Sequence, residues 1–162
     1  LFNVYGPHQA LSNPYTGVLA IFAARLLNHR PPVVYEDGEQ RREFVHVGDV
    51  VRAFRLALEQ GGADGRAVNV GSGQGTSVRE VSATLGRLLG KDLEPDVPGT
   101  FRAGDIRHCF ADVSLARELL GLEAEVAFED GLAELAAWLE TQSATDRFDR
   151  AAAELAERGL TR

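Results

Sequence analysis

Asp37-Gly38-Glu39-Gln40-Arg41-Arg42-Glu43-Phe44-Val45-His46-Val47-Gly48-Asp49-Val50 reads as a turn, a strand and the start of a helix. Asp-Gly is a turn dipeptide, and Phe44 to Val47 is a short β-prone run. Asp49 stands where it can cap a helix patterned by Val50, Ala53, Phe54, Ala57 and Leu58. The arginines fall directly before the strand, where rigid backbone fixes a planar guanidinium suited to bidentate contact with phosphate or carboxylate. Taken alone, the same arginines serve equally well as solvated turn residues or as partners of the neighbouring glutamates.

Working outward, Leu1 to Val4 reads as the tail of a buried strand that stops at Tyr5-Gly6-Pro7. After a loop, Val18, Ile21, Phe22, Arg25 and Leu26 recur at helical spacing up to Asn28, and Pro31-Pro32 ends that helix. Val33 to Tyr35 reads as a short strand, and Gly61-Gly62 closes the helix after the central stretch. Val68-Asn69-Val70 reads as a second buried strand, followed by a glycine-rich turn. Ser77 with Glu80 forms a capping-box pair that starts a helix from about Val78 to Leu89. Pro95 and Pro98 mark a loop that Arg102 to His108 crosses, and Asp112 or Ser114 caps a helix ending at Leu120-Gly121. Leu132, Leu135, Ala136, Trp138 and Leu139 stripe a helix beginning near Glu129. Beyond Gln142, Phe148, Ala151, Ala152 and Leu155 share one face of a tail that either packs back on the domain or frays. Short strands alternating with helices give an α/β class.

The chain has 162 residues, enough for one compact domain with a sizeable core. Its formal net charge of −7 argues against a nucleic-acid or anionic-membrane surface, so a bound phosphate must meet a few placed arginines. A single cysteine, Cys109, excludes an internal disulfide and fits a reducing, cytoplasmic setting. No apolar run reaches transmembrane length. The chain starts at Leu1 and contains no methionine, which sets the expectation of a fragment.

Five motifs in order carry a resemblance. They are Asn3-Val4-Tyr5-Gly6-Pro7; Asp37-Gly38-x-Gln40-x-Arg42-Glu43-Phe44-Val45-x-Val47-x-Asp49; Asn69-Val70-Gly71-Ser72-Gly73; Arg102-x-Gly104-Asp105-Ile106-Arg107-His108; and Ala111-Asp112. From Leu1 to about Trp138 the chain resembles the C-terminal part of an extended short-chain dehydrogenase/reductase, the group of NAD-dependent nucleotide-sugar epimerases and dehydratases. The resemblance implies a C-terminal, sugar-nucleotide-binding portion over residues 1–141, with a helical tail over 142–162 and the N-terminal Rossmann portion missing. NAD would be bound mainly by that missing portion, which is then itself an expected partner.

The resemblance also implies roles. Asn3 would donate an amide hydrogen bond to the diphosphate, with the backbone of Leu1 and Phe2 bordering the nicotinamide. Val33 and Tyr35 would line the nucleobase pocket, and Arg42 and Arg102 would grip the diphosphate. Asp105 would orient Arg102 or touch a ribose hydroxyl, and the helix start at Thr16-Gly17-Val18 would add backbone amides. Glu43 departs from the Asp usual in the family, which puts a supporting contact in question rather than the arginine.

Catalysis in that family uses a Tyr-x-x-x-Lys pair. Lys91 is the only lysine here, and Arg87 stands four residues before it. The Gly71-Ser72-Gly73-Gln74-Gly75-Thr76 run fails the G-x-G-x-x-G spacing, because Thr76 takes the place of the last glycine, so it reads as a structural turn. His8, His29, His46 and His108 lack metal-ligand spacing; His108 would hold its loop, and Arg107 is either a further phosphate or interface group or a solvated side chain. The expectation is therefore the binding part of an NAD-dependent 4-epimerase of UDP- or dTDP-sugars, inactive on its own. The alternatives are a part of a 4,6-dehydratase, or a non-catalytic nucleotide-sugar-binding or interaction module. Homo-oligomer formation is left open.

Overall fold

A computed structural model describes residues 1–11, 17–91 and 93–161. Thr16 and the Ser12 to Tyr15 run before it lie outside the described residues. The described elements are β1 (Asn3–Tyr5), α1 (Val18–Leu27), β2 (Arg41–His46), α2 (Val47–Glu59), a 3-10 turn (Gly61–Ala63), β3 (Gly75–Ser77), α3 (Val78–Leu88), β4 (His108–Cys109), α4 (Ser114–Leu120), α5 (Phe128–Leu139) and α6 (Phe148–Glu157).

β2 organises a small mixed sheet. Its second half pairs parallel with β1, placing Asn3 opposite Phe44 and Tyr5 opposite His46. Its first half pairs antiparallel with β3, Arg41 opposite Ser77, and parallel with β4, Arg41 opposite His108. The strand therefore begins three residues before the β-prone run and includes both arginines and Glu43. Charged residues tolerate these positions because partner strands on both sides satisfy the backbone. Val47 opens α2, and its cap is the His46 imidazole, which accepts from the Gly48 N–H at 3.3 Å. Asp49 is buried in the first turn and instead accepts from the Glu125 N–H (2.9 Å) and the Val126 N–H (3.2 Å), tying α2 to the segment before α5.

Two other strand expectations are corrected. Val33 makes only a single parallel bridge, to Asp96, so Val33 to Tyr35 is connecting chain. Val68 to Val70 forms no strand, because no neighbouring strand pairs with it among the described residues; Val68 and Val70 lie partly buried against Ala53, Ala116, Leu120 and Leu122 in a small core between α2 and α4. β1 is buried only at Tyr5. Leu1 is 63 % and Val4 40 % exposed, since β1 has β2 on one side only.

The main core joins α1, α3 and α5 to the sheet: Phe22, Leu26, Val81, Leu85, Leu132, Leu135 and Leu139 are almost fully buried around Tyr5 and Phe44. Ser77 caps α3 by accepting from the Glu80 N–H at 3.1 Å. Before α4, the Asp112 carboxylate accepts from the Ser114 N–H and hydroxyl, and Gly121 ends the helix at φ +59°, a left-handed position that glycine fills without a Cβ clash. No described helix is long and apolar enough to cross a membrane.

Candidate functional site

A cavity of about 420 Å³ opens where α1, β2 and the loop before β4 meet. Asn3 from β1, Val33 and Tyr35 from the connecting chain, Arg42 from β2, and Arg102 and Asp105 from the loop all line it. Leu1 and Phe2 are not among its lining residues; Leu1 lies exposed and Phe2 half-buried at the start of the chain.

Arg42 is held by three contacts. Its Nη1 donates to the carbonyls of Arg41 (2.9 Å) and Arg107 (3.1 Å), and its Nη2 pairs with Asp105 at 2.9 Å. With its side chain only 18 % exposed, the guanidinium plane is fixed while the Nε–H and an Nη2–H have no partner among the described residues. Asp105 thus orients Arg42 and not Arg102. Its Oδ1 also accepts from the Ile106 N–H, which holds the loop turn. Arg102 lies over the Tyr35 ring, its Cζ 5.1 Å from the centroid, within cation–π range. Asn3 Nδ2 donates to the Glu43 carbonyl at 2.8 Å, which fixes the amide plane at the cavity wall and leaves its carbonyl oxygen without a protein partner among the described residues.

Behind this wall the loop is locked. Arg107 pairs with both oxygens of Asp37 at 2.8 Å and with Glu36, so it is engaged by carboxylates of the turn before β2. The Arg107 hydrogen bonds hold the Asp37 carboxyl well below the usual carboxylate range, and the same bonds push the guanidinium up. The His108 Nδ1 accepts from the Arg41 N–H at 3.3 Å, which fastens β4 to β2.

Glu43 explains the glycine-rich turn. It is fully buried, and its Oε1 accepts from the Ser72 N–H (2.6 Å) and hydroxyl (2.7 Å) while Oε2 accepts from the Ala111 N–H (3.1 Å). A Cβ on Gly71 would come within 2.9 Å of the Glu43 carboxyl carbon, so the turn is closed around that side chain. Its Ser72 amide is already used. The Gly71–Thr76 turn therefore does not fit a dinucleotide pyrophosphate, and these residues assign no cofactor cradle. No cluster of three or more His, Cys, Asp or Glu side chains that could hold a metal is found among the described residues.

Two features of the cavity were not read from the sequence. Gln40 is 6 % exposed, lines the wall and donates from Nε2 to the Tyr35 carbonyl at 3.0 Å, fixing the connecting chain. The second is the tail: Phe148, Ala151, Ala152 and Leu155 of α6 face the same cavity. Their shared helical face was visible in the sequence, but its target was not. The one local hint is the acidic pair Asp146 and Asp149, which meets Arg25 and Arg30 at the end of α1.

Residues 1–71 match the model of the NAD dependent epimerase/dehydratase family. The chain is 37 % identical over 139 residues to the dTDP-L-rhamnose 4-epimerase of Burkholderia thailandensis, covering 86 % of this chain and 38 % of that protein. It is 38 % identical over 143 residues to the UDP-glucose 4-epimerase of Mycolicibacterium smegmatis, covering 87 % and 44 %. The crystal structure of the Thermotoga maritima UDP-glucose 4-epimerase with UDP-glucose superposes with a TM-score of 0.77 at 40 % identity, over 86 % of this chain and 44 % of that one. The chain thus spans less than half the length of these relatives. Motif order, the small mixed sheet with its flanking helices, and these likenesses agree: the chain belongs to the NAD-dependent epimerase/dehydratase family of extended short-chain dehydrogenases/reductases.

Proposed function

We propose that this chain is the sugar-nucleotide-binding portion of an NAD-dependent nucleotide-sugar 4-epimerase acting on a UDP- or dTDP-sugar. The parent reaction, 4-epimerisation through a transient 4-keto sugar, requires NAD and a proton-transferring Tyr-x-x-x-Lys pair, and no such pair occurs in these 162 residues. Residues 1–141 supply binding and orientation. The observation that carries this reading is the convergence of Asn3, Val33, Tyr35, Arg42, Arg102 and Asp105, drawn from distant parts of the chain, on one cavity.

Each residue has a physical task in this reading. Arg42, planar and braced by Asp105, offers its remaining N–H donors to one phosphate; Arg102 offers a second cation from the opposing loop. Charge-assisted bonds of this kind contribute about 1.5–3 kcal/mol each. Val33 and Tyr35 give the base an apolar and aromatic surface. Asn3 meets the diphosphate from the start of β1, and Asp105 has a second oxygen for a ribose hydroxyl. Leu1 and Phe2 would border the nicotinamide from the start of β1.

Calorimetric titration with UDP and dTDP tests this. Arg42→Ala and Arg102→Ala should each weaken binding by about 1.5–3 kcal/mol, and together by less than the sum if both contact one diphosphate. A double variant that binds both nucleotides as tightly as the parent chain removes these roles.

A further inference from the structure

Residues 142–161 run across the cavity and are fastened on both sides of it. At the near end, Asp149 pairs with Arg25 (3.3 Å) and Arg30 (2.8 Å), and the buried Asp146 carboxylate pairs with the same two arginines. At the far end, the Ala103 N–H donates to the Leu160 carbonyl at 2.8 Å, and Arg102 bridges Thr161 in antiparallel fashion. The tail is thereby bonded to the backbone of the very loop that carries Arg102. Between these anchors, α6 lays Phe148 beside Tyr35 with ring centroids 6.4 Å apart and planes tilted by 42°. A second cavity of about 260 Å³ lies against the same aromatic pair, lined also by Val33 and Ala152.

Two facts decide what the tail does there. The main cavity keeps its volume of about 420 Å³ with α6 seated, so the helix encloses the space and does not fill it. The charges on its inner side are also unequally engaged. Asp146 is taken up by Arg25 and Arg30, and Glu154 is paired with Arg150 at 3.2 Å, whereas Arg147 and Arg158 line the cavity and form no ion pair among the described residues. The tail therefore brings two cations without ion partners among the described residues, Arg147 and Arg158, and an aromatic ring to a space that already holds Arg42, Arg102 and Tyr35.

Building on the reading that this cavity takes a nucleotide sugar, we propose that α6 is part of the binding wall, with Phe148 pairing with Tyr35 as the aromatic contact for the base and Arg147 and Arg158 adding cationic contacts for the diphosphate. The side chains of the tail are then specificity residues of the site, and base and phosphate recognition are divided between them.

The test uses the full chain, titrated with UDP and with uridine, which has the base and no phosphate. Phe148→Ala should weaken both ligands by about tenfold, the scale of a lost base–aromatic stack. Phe148→Leu keeps apolar volume and should still weaken both while leaving the melting temperature unchanged. The double variant Arg147→Gln/Arg158→Gln should weaken UDP by about fivefold, flatten the dependence of its affinity on salt, and leave uridine binding as it was, because only charged contacts are removed. If the full chain binds UDP and every tail variant binds it equally or more tightly, the tail is not a binding wall and the proposal falls while the assignment of Arg42 and Arg102 stands. If the full chain binds neither UDP nor dTDP, both readings fall together.

Discussion

Replacing Glu43 tests whether the glycine-rich turn is a structural clasp. Three donors converge on its carboxylate: the Ser72 N–H and hydroxyl on one oxygen, and the Ala111 N–H on the other. Glu43→Ala leaves two backbone N–H groups with no acceptor, that of Ala111 buried and that of Ser72 partly buried, while the hydroxyl can rotate toward another partner. At about 1–3 kcal/mol for each unsatisfied buried group, the loss is roughly 2–6 kcal/mol. Glu43→Gln keeps the shape but must set an amide N–H₂ against one of the donors, so it should lose about half as much, near the cost of one unsatisfied group. Urea denaturation followed by fluorescence of Trp138, the single tryptophan, which packs against the main core, reads both changes as shifts in the midpoint at unchanged slope. The order Ala below Gln below parent is the expected result. If Glu43→Ala costs less than about 1 kcal/mol, the scale of one ordinary hydrogen bond, the clasp does not hold the turn.

Further outcomes are expected. A Cβ on Gly131 would stand 2.3 Å from the Tyr5 hydroxyl oxygen and 3.1 Å from His46 Cδ2, so Gly131→Ala must shift β1 against α5 and should destabilise the fold by about 1–3 kcal/mol in the same denaturation assay. An unchanged midpoint would show that Tyr5 moves aside freely. The Arg107 pairing depresses the Asp37 carboxyl, so its stabilisation is complete above the unfolded aspartate value of about 3.9 and is lost as pH falls below it toward the folded value. The melting-temperature gap between the parent and Arg107→Gln should stay level from about pH 7 to 4 and narrow below that; a gap that narrows between about pH 7 and 5 would assign the effect to another group.

Local signals in the sequence were legible, and partnered ones were not. The Ser77 and Glu80 pair, the Pro31-Pro32 stop and the Gly121 end each act within a single turn of chain, and α1, α3, α4 and α5 stand within a few residues of where those signals put them. Strands depend on a partner far away. Val68 to Val70 has strand composition but no pairing strand among the described residues, while Arg41 to Glu43, which look like turn residues, gain strand geometry from β3 and β4 on either side. At the cavity, the motifs indicated which side chains gather. They did not indicate that Asp105 would brace Arg42 instead of Arg102, because both arginines are within reach of that loop in sequence terms and only the register of β4 against β2 decides between them. The tail was legible as an amphipathic helix and illegible as a cavity wall, since its ion pairs with Arg25 and Arg30 span well over a hundred residues.

The pairing of β2 bears on how the molecule assembles. None of its contacts is a hairpin: Asn3 reaches Glu43 across 40 residues, Arg41 reaches Gly75 across 34, and Arg41 meets His108 across 67. Every ladder must close a long loop before its hydrogen bonds reward it, as must the packing of α1, α3 and α5 on one another, which places both after the individual helices, whose hydrogen bonds are local. The cavity borrows its lining from all of those loops, so no short peptide carries the whole of it. A peptide of residues 37–50 would hold Arg42 without Asp105, Tyr35 or Arg102. On the proposed function, nucleotide affinity serves as a gauge of how many molecules have completed the whole topology, more demanding than helix content, because the helices can be present before the sheet has drawn the two arginines together.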